Sequence, residues 1–387
     1  MRVFVVAGEA SGDKLGAALM AGLRKHRPDV NFEGIGGDRM IAEGLQSLFP
    51  MDEISIMGIT EILSQYRALK ARIRQTADAV IAAKPDVLIT IDLPEFGLRV
   101  AKLVKARSDI RTVHYVAPTV WAWRPGRAKK MAAHIDQVLA LLPFEPPYME
   151  AAGMRCDFVG HPVVTDPVAT PEEVAAFRAV HGIGDAPLAL ILPGSRRSEV
   201  SRLLPIFADV VADLHAKRPD LRFVLPAAPN VATRVAEAVS GWLVKPIILN
   251  PETDGMATKH AAFAAADVAV AASGTVSLEL AASDTPMVIA YDMNWLSRQI
   301  IGRMLLVDTV TLVNLVSETR VVPEFIGEAC QPLLISEAVS ALLDAPEQQR
   351  AAMDLTMERL GKGGLPPGER AALAVLDGLN LNGGAIR

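Results

Sequence analysis

The sequence predicts an α/β protein built from two doubly wound, mostly parallel sheets. Short buried apolar runs alternate with longer segments of helical period. The alternation breaks once near the middle of the chain and then restarts. At 387 residues the chain also exceeds what one hydrophobic core ordinarily supports. Hydrophobic residues make up 51% of it and aromatics only 5%, so Ala, Val, Leu and Ile must fill the cores, as suits helices packed on parallel sheets.

In the first half, strands are expected at Arg2 to Ala7, Val87 to Ile91, Thr112 to Val116 and Gln137 to Leu141. Helical periodicity fills the spaces, clearest over Lys14 to Lys25 and Ile59 to Ala82. A Pro-rich stretch from Gly160 to Pro171 then interrupts the pattern, placing a domain boundary there and an N-terminal domain over residues 1–165. The second half, residues 166–335, runs through Leu188 to Leu192, Arg222 to Leu225, Pro246 to Leu249, Asp267 to Ala271 and Pro286 to Tyr291. Residues 336–387 read as C-terminal helices that cross back or exchange in a dimer, and the Gly/Asn-rich tail Asn380 to Arg387 is expected to be loose. Each half opens with a buried strand, a Gly/Ser loop and a helix: VFVVAGEASGDKLG and LALILPGSRRSEV. Two Rossmann-like domains of this kind are expected to face each other across a cleft, with the carboxyl ends of their strands, where open α/β sheets bind ligands, turned toward it.

Composition narrows the function classes. A net charge of -5 lacks the concentrated positive charge that binding along a nucleic acid requires, although local basic patches are compatible with it. Cys156 and Cys330 stand far apart with no C-x-x-C spacing, which argues for a reducing cytoplasm and against disulfide or zinc frameworks. The longest stretch without Asp, Glu, Lys or Arg, Thr112 to Trp123, is roughly a dozen residues, short of the ~20 that a spanning helix needs. The chain opens directly on a buried strand rather than on an export signal.

The sharpest local signal is Leu192-Pro193-Gly194-Ser195-Arg196-Arg197-Ser198-Glu199. A buried strand ends there and a helix begins, so Gly194 permits a tight turn, free helix amides point outward, and Arg196 can fork onto phosphate oxygens. The same residues also read as an ordinary helix start capped by Ser195 or Ser198. A second such turn is Ala271-Ala272-Ser273-Gly274-Thr275-Val276-Ser277-Leu278-Glu279. Ser273, Gly274 and Thr275 offer donors, and Glu279, one turn on, can hold a ribose diol or simply complement the helix dipole. Two anion-ready turns in one domain point to a nucleoside diphosphate.

In the first domain, the loop Gly8-Glu9-Ala10-Ser11-Gly12-Asp13 is too acidic to cradle phosphate and lacks the dinucleotide and P-loop patterns. Glu9, Ser11, Gly12 and Asp13 suit sugar hydroxyls, or a polar turn that caps the next helix. Asp92 ends the apolar run Val87 to Ile91 and is the candidate general base; helix capping is its alternative role. His161, at the domain boundary, can reach a donor sugar or serve the structure. H-E-x-x-H, H-x-H and D-x-D spacings are all absent, so no metal is expected, and no cofactor either. The segment Ile54 to Arg74 carries Ile59, Ile62, Leu63, Tyr66, Leu69 and Ile73 on one helical stripe. That stripe reads as core-facing, while Met57, Ile54 and Ile56 widen it enough to meet acyl chains or a membrane surface.

Together these residues resemble the lipid-A-disaccharide synthase family over most of the chain. The blocks are GEASGD, ISIMGITEIL, ITID followed by Pro94 and Phe96, APTVWAWRPGR, FVGHP, LPGSRRSEV, SGTVSLEL and LVN at Leu312 to Asn314. Their order and spacing are specific where any one block is weak. The resemblance implies the GT-B fold, a UDP-2,3-diacylglucosamine donor, a 2,3-diacylglucosamine 1-phosphate acceptor and an inverted β-1,6 linkage. It implies a catalytic Asp92 and donor contacts at Arg196, the Ser273 to Glu279 loop and Asn314. It also implies acyl or membrane contact over Met57 to Leu69, a peripheral position on the inner face of the cytoplasmic membrane, and a homodimer sharing C-terminal segments. Arg197 departs from the family pattern, which has a smaller residue there, and Arg196 ranks first for the phosphate. The competing readings are a UDP-sugar epimerase, a nucleotide-sugar-binding or scaffold protein without turnover, and a dehydrogenase, the last weakened by the missing dinucleotide fingerprint.

Overall fold

The computed structural model describes residues 1–55, 59–293 and 305–381, with the helical residues 59–66, 380 and 381 described by backbone alone. The chain forms two units, residues 1–165 with 363–387, and residues 166–362. The change of unit falls inside the Pro-rich stretch Gly160 to Pro171.

Unit 1 is a seven-stranded sheet with strands β1 (Arg2–Ala7), β2 (Asn31–Ile35), β3 (Gln46–Ser47), β4 (Val87–Ile91), β5 (Arg111–Tyr115), β6 (Gln137–Ala140) and β7 (Arg155–Phe158). Their spatial order is β3-β2-β1-β4-β5-β6-β7, and every pair is parallel. Alternation along β1 builds both faces. Phe4 and Val6 join Leu88 in a core with Leu69, Ile73, Ala77 and Val80 of the helix Ile59–Ala83. Val3, Val5 and Ala7 join Ile89 and Ile91 in a second core with Leu15, Leu19 and Leu23 of the helix Ala10–His26. Burying each such aliphatic side chain contributes about 1.5–3 kcal/mol.

Unit 2 holds β8 (Leu188–Leu192), β9 (Arg222–Pro226), β10 (Ile247–Leu249), β11 (Val268–Ala271), β12 (Met287–Tyr291) and β13 (Glu324–Ile326), in the order β10-β9-β8-β11-β12-β13 and again parallel throughout. Strands β2, β3, β7 and β13 were not expected. β3, β7 and β13 are short edge strands, and β2, next to an edge, is only partly buried, so none carries a clear apolar run. In each sheet the strand order reverses once, between β1 and β4 and between β8 and β11. The carboxyl ends at these reversals are where an open α/β sheet leaves a crevice.

The C-terminal helices, read from sequence as one group, divide between the units. Pro332–Asp344 and Glu347–Arg359 belong to unit 2, and the helix Pro367–Leu381 packs in unit 1. Asn380 therefore falls in a helix rather than in a loose tail, and residues 382–387 lie outside the described residues. This last helix lies directly on the first. A Cβ at Gly22 would stand 2.8 Å from the Gly368 carbonyl oxygen, and one at Gly368 would stand 2.6 Å from that of Ala18. Lys25 pairs with Glu369 at 2.8 Å, and Gln137 on β6 donates to the Ala374 carbonyl at 2.9 Å. Both cysteines are buried and free, and no described helix is long and apolar enough to cross a membrane.

The close crossing leaves no room for a methyl group against main chain. Gly368→Ala is expected to destabilise the protein by about 1–3 kcal/mol through overpacking, read as a lowered midpoint in urea unfolding. A midpoint equal to wild type would show that the two helices separate at no cost.

Candidate functional site

The reversal in unit 2 opens a pocket of about 480 Å³. Its walls come from the turns after β8, β9, β10 and β11, so four strand ends converge on one space. After β8 the chain turns through Gly194 at φ +100°, a left-handed conformation where a Cβ would also stand 2.8 Å from a Glu199 carboxylate oxygen. Arg196 then caps the helix Arg197–Lys217. The buried Glu199, three residues on, accepts from the Arg196 main-chain N–H at 3.3 Å, from Arg196 Nη1 at 3.0 Å and from the Tyr291 hydroxyl at 3.3 Å. Burial, and after it the Glu199 charge, raises the Tyr291 phenol above its usual value. Arg196 lines the pocket and Arg197 does not.

Across the pocket, Gly274 at φ +152° carries the chain into the short helix Val276–Ala282. Ser273, Gly274, Thr275 and Glu279 all line the space. Lys259 Nζ donates to Glu279 Oε2 at 2.5 Å and lies 5.0 Å from the Phe263 ring centre, which fixes one carboxylate oxygen and leaves the other for a ligand. Much of the remaining wall is apolar, with Pro226, Ala227, Pro229, Leu249, Met256 and Phe263, and Asn250 and Asp254 are its polar members. Sequence reasoning missed this wall because it carries no motif. The signal available was position alone, since these residues follow the predicted strands β9 and β10. Asn314, expected among the donor contacts, lies apart from these residues. Asn314 is buried and outside the pocket, with its amide group donating to Thr309 Oγ1 at 3.2 Å and to the Val322 carbonyl at 3.0 Å, while its oxygen accepts from the Val322 N–H at 3.0 Å. It holds two chain segments together.

In unit 1, Asp92 follows β4 at the sheet's reversal, its N–H donating to the Tyr115 carbonyl of β5 at 2.9 Å. Asp92 and Leu93 lie at φ +49° and +41°, and Val116, just past β5, at +83°. Left-handed backbone costs a non-glycine residue about 1–2 kcal/mol, and such outliers gather where function over-determines the local structure. Burial pushes the Asp92 carboxyl above the ordinary carboxylate value, and a hydrogen bond from the Leu93 main chain opposes this in part.

The expected sugar loop falls at a helix start. The first helix begins at Ala10, with Glu9 as its cap, so Ser11, Gly12 and Asp13 lie in its first turn. Asp13 is buried, and its carboxylate accepts from the main-chain N–H groups of Gly37 (2.8 Å), Met40 (3.1 Å) and Arg39 (3.1 Å). It clamps the start of the helix Asp38–Ala42. Ser11 is exposed, Glu9 half-buried and Gly12 buried. His161 is half-buried and accepts from the Val163 N–H at Nδ1, 3.2 Å. On the expected membrane stripe, Met57 lies outside the described residues, as do the side chains of Ile59, Ile62, Leu63 and Tyr66. Leu69 is buried and packs in the unit 1 core.

Two parallel doubly wound sheets, each with functional groups at its reversal, define the GT-B-like class of fold. Solved structures agree. UDP-GlcNAc 2-epimerase from Neisseria meningitidis bound to UDP-GlcNAc superposes with a TM-score of 0.64 at 13% identity, covering 99% of this chain and 100% of that one. Anabaena HepE in complex with UDP and glucose gives 0.57 at 10% identity, covering 98% and 100%. The lipid-A-disaccharide synthetase family pattern matches residues 3–374. The lipid-A-disaccharide synthase of Ruegeria pomeroyi is 62% identical over 383 residues, 98% of this chain and 96% of that one. That of Rhodospirillum centenum is 47% identical over 381 residues, covering 97% and 94%. The chain belongs to the lipid-A-disaccharide synthase family, and is a glycosyltransferase with that activity in lipid A biosynthesis.

Beside Asp92, the loops after β5 and β6 are tied by one buried carboxyl. Glu145 accepts from the main-chain N–H groups of Leu141 (3.1 Å) and Leu142 (3.0 Å) and from Trp121 Nε1 (3.3 Å). Burial outweighs these donors and pushes its carboxyl from 4.5 up to about 7. Between those values the folded chain holds a proton that the unfolded chain has released, so this group makes stability fall as pH rises through the window. The slope is at most about 1.4 kcal/mol per pH unit. Glu145→Gln is expected to flatten that slope in urea titrations between pH ~5 and ~7; an unaltered slope would place its origin in another group.

Proposed function

We propose that the chain joins UDP-2,3-diacylglucosamine to 2,3-diacylglucosamine 1-phosphate, releasing UDP and forming the β-1,6-linked disaccharide 1-phosphate with inversion at the donor's anomeric carbon. The observation that carries this reading is the unit 2 pocket, where two strand-to-helix turns and Arg196 meet an apolar wall. The UDP-GlcNAc held by the epimerase of like fold supports a UDP-sugar as its occupant. Lipid A precursors as substrates follow from the family.

The diphosphate is held against the turns at Gly194 and Gly274, where the helix starts and their dipoles favour negative charge. A guanidinium has five N–H donors. Arg196 therefore keeps its Nη1 contact to Glu199 and offers the rest to phosphate oxygens. Glu279, steadied by Lys259, accepts from the ribose hydroxyls, and the wall at Pro226 to Pro229 receives the flat uracil. As the anomeric C–O bond breaks, these fixed donors stabilise the charge that grows on the leaving phosphate oxygen, and no metal ion is required for that task. Asp92 takes the proton of the acceptor 6-hydroxyl while its oxygen attacks the anomeric carbon opposite UDP, which inverts that centre in one displacement. Burial strengthens Asp92 as a base, and activity falls as pH drops through its raised value. Glu9, Ser11 and His161 are the unit 1 groups we assign to sugar hydroxyls. The segment bearing Met57, Ile59, Ile62, Leu63 and Tyr66 meets acyl chains at the inner face of the cytoplasmic membrane.

The test is UDP release from UDP-2,3-diacylglucosamine in chelator, with and without acceptor, and with the product weighed by mass spectrometry. Acceptor-dependent release matched by disaccharide supports the reading; release without disaccharide rejects it. Asp92→Asn is expected to lower kcat by about 10²–10⁴-fold with UDP affinity retained. Because folding raises the Asp92 value, removing the charge should leave stability at neutral pH equal or higher. Equal turnover would remove Asp92 as the base. Arg196→Ala is expected to weaken UDP binding by about 10–100-fold, the loss of a charge-assisted contact, whereas Arg197→Ala should leave calorimetric UDP affinity near wild type. The reverse ranking would transfer the phosphate contact to Arg197.

A further inference from the structure

The loop after β5 carries a cationic strip that the donor pocket and Asp92 do not use. From Ala117 to Ile135 the chain contains Arg124, Arg127, Lys129 and Lys130 and no carboxylate. Among the described residues, none of these four meets a carboxylate in an ion pair. Arg124, Lys129 and Lys130 are exposed and Arg127 is half-buried.

Although its tip is open, the loop is held in place at several points. Trp121 is buried, donates to Glu145 and meets the Phe144 ring edge-on at 5.1 Å. Trp123 is exposed, donates to Thr119 Oγ1 at 3.0 Å and carries the Arg124 guanidinium 4.5 Å from its ring centre. Arg124 itself lies at φ +51°. A guanidinium stacked this way keeps its N–H edge open while its rotamers are restricted, which lowers the entropy lost when a ligand binds. The strip also begins at the sheet edge that bears Asp92, since Ile91 pairs with Tyr115 and the loop leaves that strand at Val116.

We propose that Arg124 and Arg127 bind the phosphate monoester of the acceptor sugar, making this loop the element that selects a phosphorylated acceptor. The inference rests on the acceptor proposed above. A phosphate monoester presents three oxygens and up to two charges to planar forks that match it, whereas the Glu9 carboxylate repels a phosphate and the Ser11 hydroxyl brings a single uncharged donor. Lys129 and Lys130 add a field that draws the anion in.

The test compares kcat/KM for 2,3-diacylglucosamine 1-phosphate and for the same sugar without phosphate. Both are dispersed in neutral detergent, with wild type and with an Arg124→Gln, Arg127→Gln double variant. Wild type is expected to prefer the phosphorylated acceptor by about 10–100-fold, the worth of a charge-assisted contact. In the double variant that ratio should collapse toward one through KM, and Arg124→Lys, Arg127→Lys should restore part of it. A double variant that keeps the wild-type ratio overturns the inference. So does one that slows both acceptors alike, or one that keeps the ratio and loses only its binding to anionic phospholipid vesicles, which would make the strip a bilayer contact. Wild type that forms disaccharide from neither acceptor overturns the proposed reaction itself, a result distinct from the others.

Discussion

Parallel strand pairing is the constraint on which everything else rests. In both sheets every strand runs the same way, so all carboxyl ends emerge on one edge and all the loops that carry functional groups gather there. A reversal of strand order then parts the adjoining connections to opposite faces and leaves a crevice. Asp92 follows β4 at one reversal, and the Gly194 and Gly274 turns follow β8 and β11 at the other. Had either sheet been antiparallel, these residues would lie at opposite ends of it.

The two units meet this constraint with different chemistry. Unit 2 uses glycines at positive φ, helix starts and a buried Glu199 that holds Arg196 at the pocket lip. Unit 1 places ordinary residues in left-handed backbone at Asp92, Leu93, Val116 and Arg124, and that strain is supported by full burial of β4 and β5 beneath. It also buries carboxyl groups: Asp13 is satisfied by three main-chain donors, whereas Asp92 and Glu145 are desolvated enough to have raised values.

The central strands were legible in the sequence because complete burial makes them continuous apolar runs, as at β1, β4 and β8. Edge strands such as β3 and β13 were not, since partial burial removes that signature. Asp92, Arg196, Gly194 and the Ser273 to Glu279 turn stood out as candidates because they follow visible strands. The apolar wall at Pro226 and Leu249 escaped notice because nothing in its composition distinguishes it from any loop. Asp13 shares its motif block with the exposed Ser11, and no pattern of residue types separates a polar group that is open to solvent from one that faces its own backbone, as Asp13 and Asn314 do.

By itself, then, the sequence determined the class of fold, the family and the candidate residues at the strand ends, because burial periodicity and motif spacing are local properties of a chain. Only the tertiary structure decided which polar groups remain available. Hydrogen-bond saturation depends on neighbours distant in sequence, such as Gly37 for Asp13 and Val322 for Asn314. It also decided that the last helix returns to the first unit, where Gly22 and Gly368 let two helices separated by most of the chain touch backbone to backbone.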